Sequence, residues 1–416
     1  MSIRDFFRKL GPGLVTGAAD DDPSGIATYS QAGAQFGPTL LWTLVFTYPL
    51  MSAVQLVSAR IGRVTGRGLA WSLRQVMPRW MVVILVALLF VANTINIGAD
   101  LAAMGDATQL VVGGGAHVFT AMFAIASLLL QIFVPYRKYA RFLKWLTLVL
   151  LAYVALVFMV KVDWAAAARG MVIPTIASTA AVTTIVAIFG TTISPYLFFW
   201  QASQEVEEIE QKDTREPLVE APGQGQEAEA RIRYDTFSGM AVSNIVALAI
   251  MLGTAATLHA SGKTDIQTAA DAARALEPVA GKLAFALFSL GIIGTGMLAV
   301  PVLAGSAAYA IGETGGWNTG LEEKPGNAKV FYTVIGVAML LGIGIDWSPI
   351  GPIRALFWSA VVNGVVAVPI LVGTMLVVSR KAVMGDFVAG PALKVFGWLA
   401  TGAMAAAVAG MALFPG

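Results

Sequence analysis

The 416-residue chain is 57% hydrophobic and 12% charged, has a formal net charge of +2 and contains no cysteine, with a mean hydropathy of +0.74. An average soluble domain is about 25% charged, so this composition describes a polytopic all-α membrane protein and excludes a soluble catalytic domain. The lack of cysteine excludes disulfides, thiolate metal sites and cysteine nucleophiles together, and basic residues spread through short loops offer no nucleic-acid surface.

Apolar runs long enough to cross about 30 Å of hydrocarbon recur along almost the whole chain. They predict eleven spans, at 12–36, 39–59, 80–105, 115–134, 142–161, 174–200, 236–257, 282–309, 329–345, 351–376 and 390–414. MSIRDFFRKL before them is short and charged and does not read as a signal peptide. The first span is the most informative. Its sequence GPGLVTGAADDDPSGIATYSQAGAQFG is small and apolar, yet it holds Asp20, Asp21 and Asp22 at its centre, followed by Pro23, Ser24 and Gly25. A carboxylate at bilayer depth costs kilocalories unless it is paired, wetted or bound to a cation. Pro23 lacks an amide hydrogen and clashes with the preceding turn, while Gly25 tolerates unusual dihedrals. Two half-helices with an unwound joint are therefore expected, and a membrane tolerates such a joint only where it lines a cavity or is buried in protein. Freed carbonyls beside a carboxylate make an oxygen-rich cation site. Asp22 abuts the break and is the principal ligand expected, with Asp21 a further candidate. A polar loop, or three acids at a helix end among headgroups, are the competing readings; apolar sequence on both sides argues against each.

The third span, in VANTINIGADLAAMGD, carries Asn93, Asn96 and Asp100, spaced three and four apart so that all can share one helix face. Helix–helix hydrogen bonding accounts for asparagines in a membrane. Asp100 is open to three readings: a proton carrier, a second cation site, or the partner of a basic residue. The sixth span contains GTTISPYLFFWQAS, with Pro195 mid-span behind Thr and Ser residues that can bond freed backbone groups. The segment 201–235 is read as a cytoplasmic loop whose first part can extend the sixth helix, its glutamates forming a solvated linker. The polar, Ala-rich stretch 261–276 predicts a short surface helix, and His117 and His259 fall near the outer surface as ordinary histidines. The eighth span is long, and its glycines suit close helix packing. Trp358, Ser359 and Asn363 polarise the tenth span.

Eleven spans parse as five, five and one: a first repeat at 12–161, a second at 174–376, and a last helix at 390–414, all in one transmembrane domain. The interrupted spans are then the first members of each five, and an odd number of spans per repeat inverts the second relative to the first. Matching breaks in two halves point to a transporter with its site at the repeat interface. An N-terminus in the cytoplasm places 21 of the 27 basic residues inside, among them Arg60, Arg63, Arg67, Arg74, Arg79, Arg137, Lys138, Arg141, Lys144, Arg380 and Lys381, and 6 outside. That asymmetry predicts N-in and C-out, and the expected location is a plasma membrane, of the bacterial inner-membrane kind.

These residues resemble the NRAMP family of divalent metal transporters. GPG, the DP break with AT…QAGAQFG, QLVSARIGRVTGRGLA after the second span, Asp100, and GTTISPY in the sixth span carry the likeness, which covers essentially the whole chain and is strongest in its first half. The resemblance implies the LeuT-type fold of two inverted five-helix repeats. The family's first-helix DPGN falls on Asp22, Pro23, Ser24 and Gly25, so the aspartate is kept and the asparagine ligand is absent. Its sixth-helix MPH falls on Ser194, Pro195 and Tyr196, which removes a methionine ligand and a histidine; a further histidine falls on Gln201. Two third-helix glutamates fall on Asn93 and Ala103, leaving only Asp100 of the acidic relay tied to proton movement. Asn363 is a polar amide near the expected place in the tenth helix.

Thioethers favour softer transition metals, whereas carboxylate, hydroxyl and carbonyl oxygens suit Mg²⁺, Ca²⁺ or Mn²⁺. The expectation is alternating-access uptake of a divalent cation, Mg²⁺ or Mn²⁺, as substrate rather than cofactor. Its ligands would be Asp22, the carbonyls near Ala19 and Ser194, and the Ser24 or Thr192 hydroxyl. Asp100, Asn93, Asn96, Tyr196, Gln201 and Asn363 would supply supporting contacts or a proton path. Cation entry is favoured by about 2.3 kcal/mol per charge per 100 mV, so weak or absent proton coupling is expected, with no catalytic residue and no obligatory partner beyond the ion and the bilayer. The competing transport reading is a Na⁺- or H⁺-coupled symporter of a small organic solute, lined by Tyr196, Phe198, Phe199 and Trp200. A non-transporting receptor is a further class, and an intramembrane hydrolase lacks a convincing motif.

Overall fold

The computed structural model describes residues 16–413 except 18, 136, 137, 139–145, 177, 212 and 213. Residues 12–15 of the first expected span, 142–145 of the fifth, residue 414, and Arg137, Arg141 and Lys144 lie outside the described residues. Helices dominate, and no strand occurs among the described residues. The long helices, in chain order, are α1 (Pro23–Phe36), α2 (Leu41–Thr65), α3 (Arg79–Val112), α4 (Ala116–Phe133), α5 (Leu151–Met159), α6 (Thr179–Thr192), α7 (Pro195–Glu210), α8 (Gly225–Thr257), α9 (Ala284–Gly315), α10 (Lys329–Ile345), α11 (Pro352–Ser379) and α12 (Pro391–Leu413). Among the described residues, eight helical stretches are long and apolar enough to cross a membrane, and 148–159 and 329–345 are shorter apolar helices.

Proline and glycine set most of the ends. α1 and α7 each start on a proline, whose missing N–H is an orphan donor at a helix start in any case. α2 stops at Gly66 in the left-handed region (φ 62°), its N–H bonding the Gly62 carbonyl. Both expected interruptions are present. Residues 16, 17, 19 and 20 are helical, Asp21 is a bend, and α1 resumes at Pro23. α6 ends at Thr192, and Ile193 (φ −119°, ψ 57°) and Ser194 (φ −75°, ψ 128°) turn the chain into α7.

α3 lies at the centre, packed on α9, α11, α4 and α10, while α1 sits between α8 and α11. α6 and α11 meet backbone to backbone: a methyl group on Gly190 would land on the Ala360 carbonyl, and one on Gly364 would sit 2.8 Å from the Val186 carbonyl. α4 and α12 are peripheral. α12 buries Gly397, Ala400, Thr401 and Met404, and both helices leave large apolar side chains such as Met122, Phe133 and Leu413 exposed, as a lipid-facing surface would.

The segment 201–235 is a correction. α7 runs on to Glu210 and α8 begins at Gly225, so most of it is helix rather than loop. Of its glutamates, Glu210, Glu216, Glu220 and Glu227 are exposed as expected of a solvated linker, but two are not. Glu205 and Glu207 are buried, because α7 is enclosed there by α2 and α9 and each carboxylate has a fixed partner. The stretch 261–276 contains the expected short helix, Ala269–Ala273, started by a capping box between Thr268 and Asp271. His259 packs its Nδ1 against the Ala34 carbonyl at 2.9 Å, and His117 pairs with Asp346 at 2.6 Å.

Candidate cation site

The first break is organised by Asp22. Its backbone is extended (φ −67°, ψ 170°), and its side chain caps α1: Oδ1 accepts the Gly25 N–H and the Ser24 hydroxyl, each at 2.7 Å. An aspartate in this place satisfies an orphan N–H and sits at the positive end of the helix. The other oxygen faces away from α1. Oδ2 accepts from the Asn96 amide nitrogen at 3.1 Å, on α3, and lies 3.5 Å from the Tyr196 hydroxyl, at the start of α7. Tyr196 donates at 3.1 Å to the Ala19 carbonyl, a backbone group freed by the break. Ser359 of α11 donates to the Asn96 Oδ1 at 2.7 Å. Three helices, α1, α3 and α7, thus converge on one carboxylate, α11 joins them through Asn96, and every residue in the set is buried.

Asp20 and Asp21 turn the other way. Both reach Ser243 of α8, Asp20 Oδ2 at 2.6 Å and Asp21 Oδ1 at 3.1 Å. The structure therefore separates Asp21 from the Asp22 carboxylate, because consecutive residues at a bend point in different directions. The Ser194 hydroxyl donates to the carbonyls of Gly190 (2.9 Å) and Thr191 (2.7 Å), and the Thr192 hydroxyl to that of Ile188 (2.8 Å). These two hydroxyls are engaged by their own helix end, which such residues do where the backbone ladder stops. Asn93 bonds α9 at the Leu303 carbonyl (2.8 Å) and Ser306 (2.9 Å), a helix–helix contact. Gln201 accepts from Thr16 at 2.5 Å and ties α7 to the half-helix before the break. Asp100 and Asn363 are fully buried, and none of their side-chain oxygens or nitrogens has a hydrogen-bond partner among the described residues.

Gly25 stands where the first-helix asparagine of the resemblance would be, and the packing around it is tight. A Cβ there would lie 3.1 Å from Thr191 Oγ1 and 3.3 Å from the Tyr29 ring. Thr191 thus fills the space that a side chain at 25 would need.

Four acids are buried within this region, and among the described residues no lysine or arginine forms an ion pair with any of them. Buried carboxylates left uncompensated are costly, so the region suits a cation or protons. The groups at the break that have lone pairs to offer are oxygens, those of the Asp22 carboxylate, the Ala19 carbonyl and the Ser24 and Tyr196 hydroxyls, and a hard, oxygen-preferring ion fits such a set.

The sequence alone does not disclose a second polar cluster, at the C-terminal half of α7. Glu205 forms an ion pair with Arg231 of α8. Glu207 accepts the Leu321 N–H at 2.9 Å and the Tyr309 hydroxyl. Glu313 of α9 accepts the Ala70 and Trp71 N–H groups and the Ser203 hydroxyl, at 3.0, 3.3 and 3.2 Å. One signal was available: Glu205 lies four residues after Gln201, on the same helix face.

Comparison with known proteins bears on what this site belongs to. The family described as Natural resistance-associated macrophage protein-like, Nramp, matches residues 13–413. The chain belongs to the Nramp family. Its curated relatives include the divalent metal cation transporters MntH of Yersinia pestis, 32% identical over 69% of this chain and 68% of the relative, and of Pectobacterium carotovorum, 29% identical over the same shares. Among solved structures, a variant of the Eremococcus coleocola manganese transporter superposes with a TM-score of 0.74 at 16% identity, covering 97% of this chain and 85% of that one. A nucleobase-cation-symport-1 family transporter in a closed conformation gives 0.59 at 15% identity, over 98% and 94%. Likeness at such low identity speaks for the fold, which is the LeuT type expected from the sequence. The chain is thus a multi-pass membrane protein of a family of transporters.

Proposed function

We propose that this chain carries a divalent cation across the membrane by alternating access, with the ion held at the first break. Asp22 is the charged ligand, the Ala19 carbonyl and the Ser24 hydroxyl are neutral ones, and Mg²⁺ or Mn²⁺ is the favoured substrate. The observation that carries this reading is the buried Asp22 carboxylate, whose Oδ2 lies beside Asn96 and Tyr196 while Tyr196 also bonds the Ala19 carbonyl of the broken helix. Membership of the Nramp family and the divalent metal cation transporters among the relatives support it. The preference for a hard ion rests on oxygen donors and on Ser194 in place of a thioether. Ser194 and Thr192 act in this scheme by bonding the end of α6, and the Ser194 carbonyl is the ligand from the second break.

The ion moves inward with the protein N-in and C-out in a bacterial inner membrane, and the two repeats are 12–161 and 174–376. Asp100 is the only acid of α3 beside the site, so proton coupling is weak or absent. The symporter reading gains nothing from the aromatic run: Phe198, Phe199 and Trp200 are packed in the interior. The test is flux into proteoliposomes of Mg²⁺, Mn²⁺, Ca²⁺ and Cd²⁺ in turn, with internal pH recorded. Mg²⁺ or Mn²⁺ uptake without internal acidification is expected. Selective Cd²⁺ uptake that acidifies the lumen would overturn both the hard-ion and the weak-coupling claims.

A further inference from the structure

The Asp22 carboxylate is met only by donors. Oδ1 takes a hydroxyl and an N–H, and Oδ2 faces the Asn96 amide nitrogen, with the Tyr196 hydroxyl next to it. The orientation of the Asn96 amide follows from chemistry, since an ionised carboxylate accepts only and must face the NH₂. Asn96 Oδ1 is thereby directed away, toward Ser359. Oδ2 has two lone pairs, but a cation on the side that the Asn96 NH₂ occupies would meet the positive end of that group, and there Asn96 leaves or turns.

Ser359 is built to accept a turned amide. Its one hydroxyl hydrogen has two acceptors at 2.7 Å, the Asn96 Oδ1 and the Leu356 carbonyl one turn back along α11. With the amide reversed, the Ser359 hydroxyl donates to Leu356, its oxygen accepts from Asn96 Nδ2, and Asn96 Oδ1 points at the ion beside Asp22. Each donor and acceptor keeps a partner in both states. Asn93 differs in that its nitrogen also donates directly to the Leu303 carbonyl, so a reversed amide there would set two oxygens against each other. An amide oxygen also supplies the type of ligand that the first helix lacks, Gly25 having no side chain to give.

We propose that Asn96 is a cation ligand as well as a positioning group, rotating about its terminal bond when the ion binds, with Ser359 as the pivot. This deepens the proposed function and rests on the ion binding at Asp22. The rotation makes α11 sense occupancy: Ser359 is a donor to α3 without the ion and an acceptor from α3 with it.

The test is calorimetric titration of the purified full-length protein with Mn²⁺ and, separately, Mg²⁺, for wild type, Asn96→Ala, Asn96→Asp and Asp22→Asn. Asp offers oxygen but no N–H, so it separates a ligand from a group that merely donates to Asp22. Asn96→Ala is expected to weaken binding by about 10-fold or more, whereas Asn96→Asp retains wild-type affinity or exceeds it. If Asn96→Asp binds as poorly as Asn96→Ala while Asp22→Asn abolishes binding, the amide acts only as a donor and the rotation is refuted. Wild-type affinity in Asp22→Asn instead contradicts the site itself. Ser359→Ala gives a second reading: it is expected to weaken ion binding in wild type and to leave Asn96→Ala no weaker than before, and additive losses would overturn the pivot.

Discussion

Replacing Asp22 by asparagine or by alanine separates its two roles, and the structure sets the size of each. Oδ1 caps α1 through Gly25 and Ser24, whereas Oδ2 is the oxygen assigned to the ion. Asparagine keeps an acceptor oxygen for the cap and is nearly the same size, so the fold is retained. Its NH₂ then faces Asn96, whose amide can reverse and offer its own oxygen, leaving few groups unpaired. Alanine removes the cap as well, at a cost of about 1 kcal/mol within a range of roughly 0.5–2. Ion binding responds differently. One unit charge about 4 Å from another contributes about 4 kcal/mol at an effective dielectric of 20, a lower bound for a doubly charged ion in direct contact, and each 1.4 kcal/mol is about tenfold in affinity. Both variants are therefore expected to lose at least about two to three orders of magnitude in Mn²⁺ or Mg²⁺ affinity, while only Asp22→Ala unfolds measurably earlier. Titration calorimetry and thermal unfolding in the same detergent read the two effects. Equal destabilisation with unchanged ion affinity would show that Asp22 is a helix cap and nothing more.

Other parts of the site make their own predictions. Tyr196→Phe removes the bond to the Ala19 carbonyl at a cost of about 1 kcal/mol, so the protein should fold normally and show an altered uptake rate in proteoliposomes; an unchanged rate would remove Tyr196 from the site. Ser243→Ala strips Asp20 and Asp21 of their shared hydroxyl and should lower stability by about 1–3 kcal/mol with much less effect on ion affinity than Asp22→Asn; an affinity loss as large as that of Asp22→Asn would place the two acids in the ion's own shell. Glu205→Gln leaves Arg231 without its buried partner and should cost about 3–5 kcal/mol, seen as a lower unfolding temperature, and the double variant Glu205→Leu with Arg231→Met should recover most of it; additive losses would contradict a paired cluster. Gly190→Leu forces a side chain into the Ala360 carbonyl and should abolish folded protein on size-exclusion chromatography, and a well-folded Gly190→Leu would contradict the α6–α11 contact.

Much of this was legible in the sequence because proline, glycine and carboxylate each carry a local consequence. DDDPSG announces a break at Asp22, and ISP announces another at Ser194, whatever surrounds them. The spacing of Asn96 and Asp100 places them on one face of α3 without reference to any partner. What could not be read depends on packing between distant helices. Nothing local says that Asp20 and Asp21 turn to Ser243, over 220 residues away, or that Ser359 and Asp22 share Asn96 between them. Glu205 and Glu207 misled for a related reason. A run of acids usually reads as solvated, and Glu205 is buried where α2 and α9 enclose α7, with Arg231 of the distant α8 as its partner. Ser194 and Thr192 illustrate the same dependence: the sequence places their hydroxyls beside a break, but only the structure shows that they donate to carbonyls of their own helix end.

The most direct measurement is the position of the ion itself. Anomalous scattering from crystals grown with Mn²⁺ should place it at about 2.0–2.6 Å from Asp22 Oδ2, with the Ala19 carbonyl in the same shell. An ion seated instead between Asp20, Asp21 and Ser243, or one that leaves Asp22 untouched, would contradict the assignment on which the transport reading stands.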